Sequence, residues 1–166
     1  MSAIVIFFSR RYENYVNGVI KNLSIGNTEV AANIIKGLTD ADIFQIKPLQ
    51  PYSKSYKICI EQARADQRRN ARPELKKYPD SLDPYETIYL GYPNYWGTMP
   101  MVMFTFLEHF NFTGKIIKPF CTNEGSGIGS SVEDIKRLCP GAKVEKPLVI
   151  LGGNVARSRT AIENWI

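Results

Sequence analysis

Five short apolar runs alternate with segments that repeat apolar residues at helical spacing, and this alternation limits the possible folds more than any other feature. The runs are Ile4–Phe8, Ala41–Ile46, Thr87–Gly91, Lys115–Cys121 and Leu148–Leu151. Strands covered on both faces read as near-continuous apolar runs. Parallel neighbours need a long crossover, usually a helix, whereas antiparallel neighbours can be joined by two residues. The pattern therefore predicts an α/β chain: a doubly wound, five-stranded parallel sheet with helices on both faces. Its crossovers should be right-handed.

The helical segments carry their own signals. Val30, Ala31, Ile34, Ile35 and Leu38 share one face of a first helix, opened by Gly26–Asn27–Thr28–Glu29 with Asn27 or Thr28 as cap. A second helix is expected over Lys54 to Asn70, with Ser53 as its cap and Tyr56, Ile60 and Ala63 inward. Pro100 starts a third, where its missing N–H costs nothing, and Met103, Phe106, Leu107 and Phe110 follow. Val132, Ile135 and Leu138 mark a fourth, ended by Pro140–Gly141. A short last helix, Ser158 to Ile166, should bury Ile162 and Trp165. Residues 10–25 are polar and aromatic with little periodicity, and read as a long loop.

Composition narrows the class. The 166 residues suit one domain, 1–166, and 44% apolar with 22% charged residues describes a globular chain. No apolar run approaches the roughly 20 residues that span a bilayer, so no membrane insertion is expected. The opening Met1–Ile6 reads as a first strand and not as a signal peptide. Three cysteines with no CxxC pair fit a reduced, cytoplasmic chain. The net charge of +5 is concentrated at Arg10–Arg11 and at Arg64, Arg68, Arg69 and Arg72, followed by Lys76–Lys77. That cluster reads as a solvated helix face, or more sharply as a docking patch for an acidic partner. No nucleic-acid motif accompanies it.

Several chemistries fit poorly. There is no Gly-x4-Gly-Lys-Ser/Thr and no Gly-x-Gly-x-x-Gly after the first strand. His109 is the sole histidine, so a histidine triad or a His-rich metal site is not expected. Cys121 and Cys139 read as packed residues.

Three loops follow apolar runs, and in an open parallel sheet such loops meet at one crevice where ligands bind. The first joins Ser9 to Gly26, Asn27 and Thr28, where a helix N-terminus would favour an oxyanion. The second holds Pro93, Asn94, Tyr95, Trp96 and Gly97, aromatic residues suited to a flat ring. The third holds Thr122, Asn123, Glu124, Gly125, Ser126 and Gly127, whose backbone N–H groups suit the polar edge of such a ring.

Taken together, Ser9, then Gly-Asn-Thr-Glu at 26–29, Pro-Asn-Tyr-Trp-Gly at 93–97 and Glu-Gly-Ser-Gly at 124–127 resemble the flavodoxin-like FMN-binding family. The resemblance implies strand order 2-1-3-4-5 and FMN as cofactor. It places phosphate on the first loop, the isoalloxazine against Trp96 with Tyr95 second, and the pyrimidine side on the third loop. The Gly97 carbonyl would meet N5 of reduced flavin, glycine tolerating both peptide orientations. Glu124 would be a helix N-terminal carboxylate. The implied function is electron transfer between a reductase and an acceptor protein. The other reading is an FMN-dependent NAD(P)H:quinone-type oxidoreductase, and a third is a binding module without flavin.

Three departures stand out. Residues 10–25 separate Ser9 from Gly26, which flavodoxins hold in one short turn. The third loop carries no second stacking aromatic, so one ring face is expected to be open, or covered by Tyr12 or Tyr15. Flavodoxins are typically acidic, whereas this chain is basic, which relaxes the penalty on anionic reduced flavin.

Overall fold

The computed structural model describes residues 2–166. The chain runs β1 (Ala3–Phe7), β2 (Tyr12–Val16), β3 (Val19–Leu23), α1 (Asn27–Thr39), β4 (Asp42–Gln45), α2 (Tyr56–Arg68), β5 (Thr87–Pro93) and α3 (Met101–His109). It continues with β6 (Ile116–Asn123), α4 (Ser131–Leu138), β7 (Lys143–Val144), β8 (Leu148–Leu151), a 3-10 segment Gly152–Arg157 and α5 (Arg159–Trp165).

The main sheet has the order β4-β1-β5-β6-β7, with β8 also on β6. Every pair in it is parallel. The two-residue β7 pairs with Ile116 and Ile117, and β8 takes over along the same strand from Phe120 to Asn123. The five expected strands thus stand in the order 2-1-3-4-5, the flavodoxin-like arrangement.

Period-two alternation sorts the strand side chains between two cores. Ile4, Ile6 and Phe8 join Met103, Phe106 and Leu107 of α3 and Ile135 of α4. Val5 and Phe7 join Ala31, Ala32 and Ile35 of α1 and Ile162 of α5. Each buried Val, Ile, Leu, Met or Phe side chain among them stabilises the fold by about 1.5–3 kcal/mol relative to exposure. Gly91 makes room for the ring of its cross-strand partner Phe120, since a Cβ there would lie 2.1 Å from that ring.

The largest correction is at residues 10–25, which are not a loop. They form the antiparallel hairpin β2–β3, with Tyr12 opposite Leu23 and Val16 opposite Val19. Asn17 and Gly18 turn it at φ 52° and 83°, the two positive values a type I′ turn requires. Most of its residues are exposed, so no buried face imposed the alternation by which a strand is recognised.

The caps are corrected too. Ser55 caps α2, accepting from the Ile58 N–H at 3.5 Å, and Ser53 instead accepts from the Ser55 N–H. Asn27 and Thr28 lie inside α1 and do not cap it. Trp165 is half-buried, its ring edges against Tyr89 and Phe120. Among the described residues, no helix is long and apolar enough to cross a membrane.

Candidate functional site

At the carboxyl end of β1 the chain leaves the sheet at Ser9 and returns at Gly26. The two ends touch: a Cβ on Gly26 would lie 2.1 Å from Ser9 Oγ and 2.6 Å from the Arg10 carbonyl. Ser9 Oγ accepts from the Glu29 N–H at 3.1 Å. A residue on the far side of the hairpin therefore caps α1 at its third position. The Asn27 and Thr28 N–H groups have no partner among the described residues. These are two of the four open donors every helix start presents, at the end that favours an anion.

Thr28 also joins this corner to the third loop. Its hydroxyl meets the Thr122 hydroxyl at 2.7 Å, fully buried. The third loop is folded around one side chain. Asn123 Oδ1 accepts from the Gly125 and Gly127 N–H groups at 2.8 and 3.1 Å, and Asn123 Nδ2 donates to the Ile150 carbonyl.

Asn94 does the same for the second loop. Its Oδ1 accepts from the Gly97 N–H at 2.8 Å and its Nδ2 donates to the Gly127 carbonyl at 2.7 Å. The Gly97 carbonyl accepts from the Ser130 N–H at 2.8 Å, at the start of α4. Gly129 allows this contact, because a Cβ there would lie 1.9 Å from that oxygen.

These loops surround a cavity of about 490 Å³, within the usual span of small-molecule sites. Of the residues singled out in the sequence, Ser9, Asn27, Thr28, Pro93, Asn94, Tyr95, Trp96, Gly97, Thr122, Asn123, Glu124 and Ser126 line it. Gly26, Gly125 and Gly127 do not line it. Gly26 permits a close approach, and the other two spend their N–H groups on Asn123.

The aromatic residues part company. Tyr95 turns into the interior, its ring edge-on to Phe8 at 6.0 Å and Tyr52 at 6.1 Å. Burial raises its hydroxyl well above the usual range, so it stays protonated. Trp96 sits on the rim, 48% exposed, in the left-handed region at φ 55°. Helix α2 holds it there. The indole N–H donates to the Ile60 carbonyl at 2.9 Å, Gln67 donates to the Trp96 carbonyl, and the Arg64 guanidinium lies 4.9 Å from the ring.

The wall opposite the sheet is formed by Arg10, Asn14, Tyr15, Tyr56, Cys59, Ile60 and Ala63; of these, sequence reasoning pointed only to Tyr15, as a cover for the ring. Tyr15 of the hairpin stacks on Tyr56 of α2 at 5.9 Å, while Tyr12 lies under the Lys54 ammonium instead. Arg10 donates to the carbonyls of Glu13, Ser53 and Lys54, fastening the hairpin to the start of α2. Glu13 accepts from the Tyr56 N–H at 3.0 Å. At the hairpin tip, the Asn17 N–H donates to Glu124 Oε1 at 2.8 Å. Glu124 is therefore not a helix N-terminal carboxylate, since α4 begins only at Ser131. It anchors the hairpin. The Asn17–Gly18 pair was the one local signal for this wall.

Among the described residues, no cluster of His, Cys, Asp and Glu could hold a metal. His109 instead stacks on Tyr78 at 3.8 Å.

The family model for flavodoxin matches residues 19–166. The chain belongs to the flavodoxin family. No curated protein sequence matches it significantly. Among solved structures, this flavodoxin-family chain is similar to a candidate flavoprotein from Bacteroides uniformis, at 25% identity and TM-score 0.74 over 99% of this chain and 96% of that one. It is similar to a flavoprotein from Lactobacillus acidophilus in complex with FMN, at 15% identity and TM-score 0.63 over 94% and 97% of the two chains. It is also similar to a flavodoxin from the domain Archaea, at 19% identity and TM-score 0.59 over 99% and 93%.

Proposed function

We propose that this chain binds FMN in the cavity and carries electrons between other redox proteins. The observation that carries the reading is the meeting of a helix start with free N–H groups, a rim indole and a polar loop in one cavity of ligand size. The fit is chemical as well as spatial. Gly26 lets Ser9 and Arg10 close against the start of α1, and the Asn27 and Thr28 N–H groups would hold the phosphate. Trp96, pinned by α2, would lie against one ring face, and Tyr15, which lines the cavity from the hairpin, would serve the other. Glu124 and Ser126, whose N–H groups are not taken by Asn123, would meet the polar edge of the ring.

FMN supplies the redox chemistry when bound; the protein supplies binding, exposure and electrostatics. The Gly97 carbonyl accepts from both the Ser130 N–H and the Ser130 hydroxyl, so offering it to a flavin would mean turning the peptide away from α4.

Purified protein incubated with FMN and passed over a desalting column should keep the flavin absorption bands. A folded but colourless protein would sink the proposal.

A second reading is an FMN-dependent NAD(P)H:quinone-type oxidoreductase. One observation favours it: loop 122–129 brings no aromatic side chain to the cavity. Steady NAD(P)H consumption by the holoprotein with a quinone would select this reading. An electron carrier should show almost none.

A further inference from the structure

We infer that the rim made by α2, the hairpin and Trp96 is the docking surface for an acidic protein partner. The inference rests on the electron-carrier reading and names the partner class that reading leaves open.

The excess charge of the chain is local. Residues 54–72 hold six cations and two carboxylates, which is most of the net +5. Part of that charge is used internally. Arg69 pairs with Asp66 at 2.8 Å and Arg72 pairs with Glu108. Lys54, Lys57, Arg64 and Arg68 make no ion pair among the described residues, and neither does Lys21 of β3. Unpaired cations on one face create a potential that steers an oppositely charged protein and speeds its association.

These cations stand beside the mouth of the cavity, on or just before α2 and on the hairpin. Tyr56, Cys59, Ile60 and Ala63 of α2 line it. Lys57 and Arg64 each follow a lining residue by one position, and Arg68 lies one turn on from Arg64, so the three share one flank of the lining face of the helix. Arg64 covers the rim indole, and Lys54 sits 4.7 Å from the Tyr12 ring. Lys21 lies across the hairpin from Asn14, which also lines the cavity.

The same rim exposes apolar side chains. Tyr15, Ile20, Ile58 and Trp96 are each 42–51% exposed. Ile20 lies directly across from Tyr15, and Tyr15 stacks on Tyr56. An apolar centre with a charged border is the anatomy of a specific interface. Its charge sign selects the occupant, a protein that presents carboxylates around its own redox centre.

The test uses the FMN-loaded full chain and two probes: an acidic plant-type [2Fe–2S] ferredoxin and a basic c-type cytochrome. Binding is read by isotope-edited NMR at low ionic strength, and flavin retention is measured beforehand on each variant. The variants are K57E/R68E on the rim and K36E/K136E, on α1 and α4, with the same change in net charge. The ferredoxin should shift resonances of α2 and the hairpin. K57E/R68E should weaken that binding about tenfold, and K36E/K136E less than twofold. Equal loss in the two variants would reduce the effect to net charge and overturn the proposal. So would absence of ferredoxin binding, tighter binding of the cytochrome, or shifts on another face. Loss of flavin retention by the unmutated protein would instead overturn the FMN reading, and it is seen before any partner is added.

Discussion

The cavity has two walls built on different principles. The sheet-side wall hangs on buried strands and is organised by buried or half-buried amides: Asn123 makes two bonds within the third loop and one to the Ile150 carbonyl of β8, and Asn94 clamps the second loop to the third. The outer wall, the hairpin on α2, is mostly exposed and is held by polar contacts from Arg10, Glu13 and Asn17. The hairpin's one buried side chain is Val16. Polar contacts near water contribute little net free energy, whereas unsatisfied buried groups cost much more. The sheet-side wall should thus be coupled to global stability and the outer wall to site access.

The largest expected effect is on the sheet side. Asn123→Ala strands three backbone groups and should lower unfolding free energy by about 2–4 kcal/mol, read from urea melts of the FMN-free protein. Arg10→Ala should lower it by less than about 1 kcal/mol. Similar losses for both would erase the distinction between the walls.

Loosening the outer wall has a chemical readout. Cys59 lines the cavity with its thiol near the Tyr95 hydroxyl, and burial pushes its pKa up. Glu13→Ala, which loosens the hairpin from α2 while keeping the Arg10 charge that favours the Cys59 thiolate, should speed labelling of Cys59 by a thiol reagent about tenfold, while Cys121 and Cys139 stay protected. Mass spectrometry of the labelled protein separates the three sites, and unchanged Cys59 labelling would show that the hairpin does not gate the cavity.

Trp96→Ala should weaken FMN affinity about fivefold, the range of a single aromatic contact, measured by flavin fluorescence quenching. A drop in stability larger than the drop in affinity would make Trp96 a strut for α2 and not a ring contact.

The smallest effect is alkaline. Burial pushes the Cys121 and Cys139 thiols up to about 12. A raised native pKa leaves stability intact below the unfolded value of about 8.5–9 and removes it as pH rises toward 12. At pH 9 the loss should be only about 0.4–0.8 kcal/mol per thiol, visible as a slight fall in the urea midpoint. Cys121→Ser should remove its share of that alkaline slope.

Much of the site was legible before the fold was known. The runs ending at Phe8, Gly91 and Cys121 announced parallel strands, and the turn residues after each marked one rim, because a switch-point crevice lies where such strands end. The hairpin was not legible as a strand pair. Glu13, Asn14, Lys21 and Asn22 face solvent or make polar contacts, and nothing buried disciplined their alternation. Glu124 was assigned to a helix start because carboxylates favour that position. Its true partner is the Asn17 N–H, 107 residues away in sequence.

The sequence by itself determined the alternation of strand and helix, the sheet order once its resemblance was seen, and which loops would share an edge. Those properties follow from local periodicity and turn chemistry, which each segment carries alone. Only the tertiary structure decided that Ser9 caps α1, that Tyr95 turns inward while Trp96 stays on the rim, and that a hairpin closes the outer side. Each of those depends on which surface lies opposite, and opposition in space is set by the packing of the whole chain.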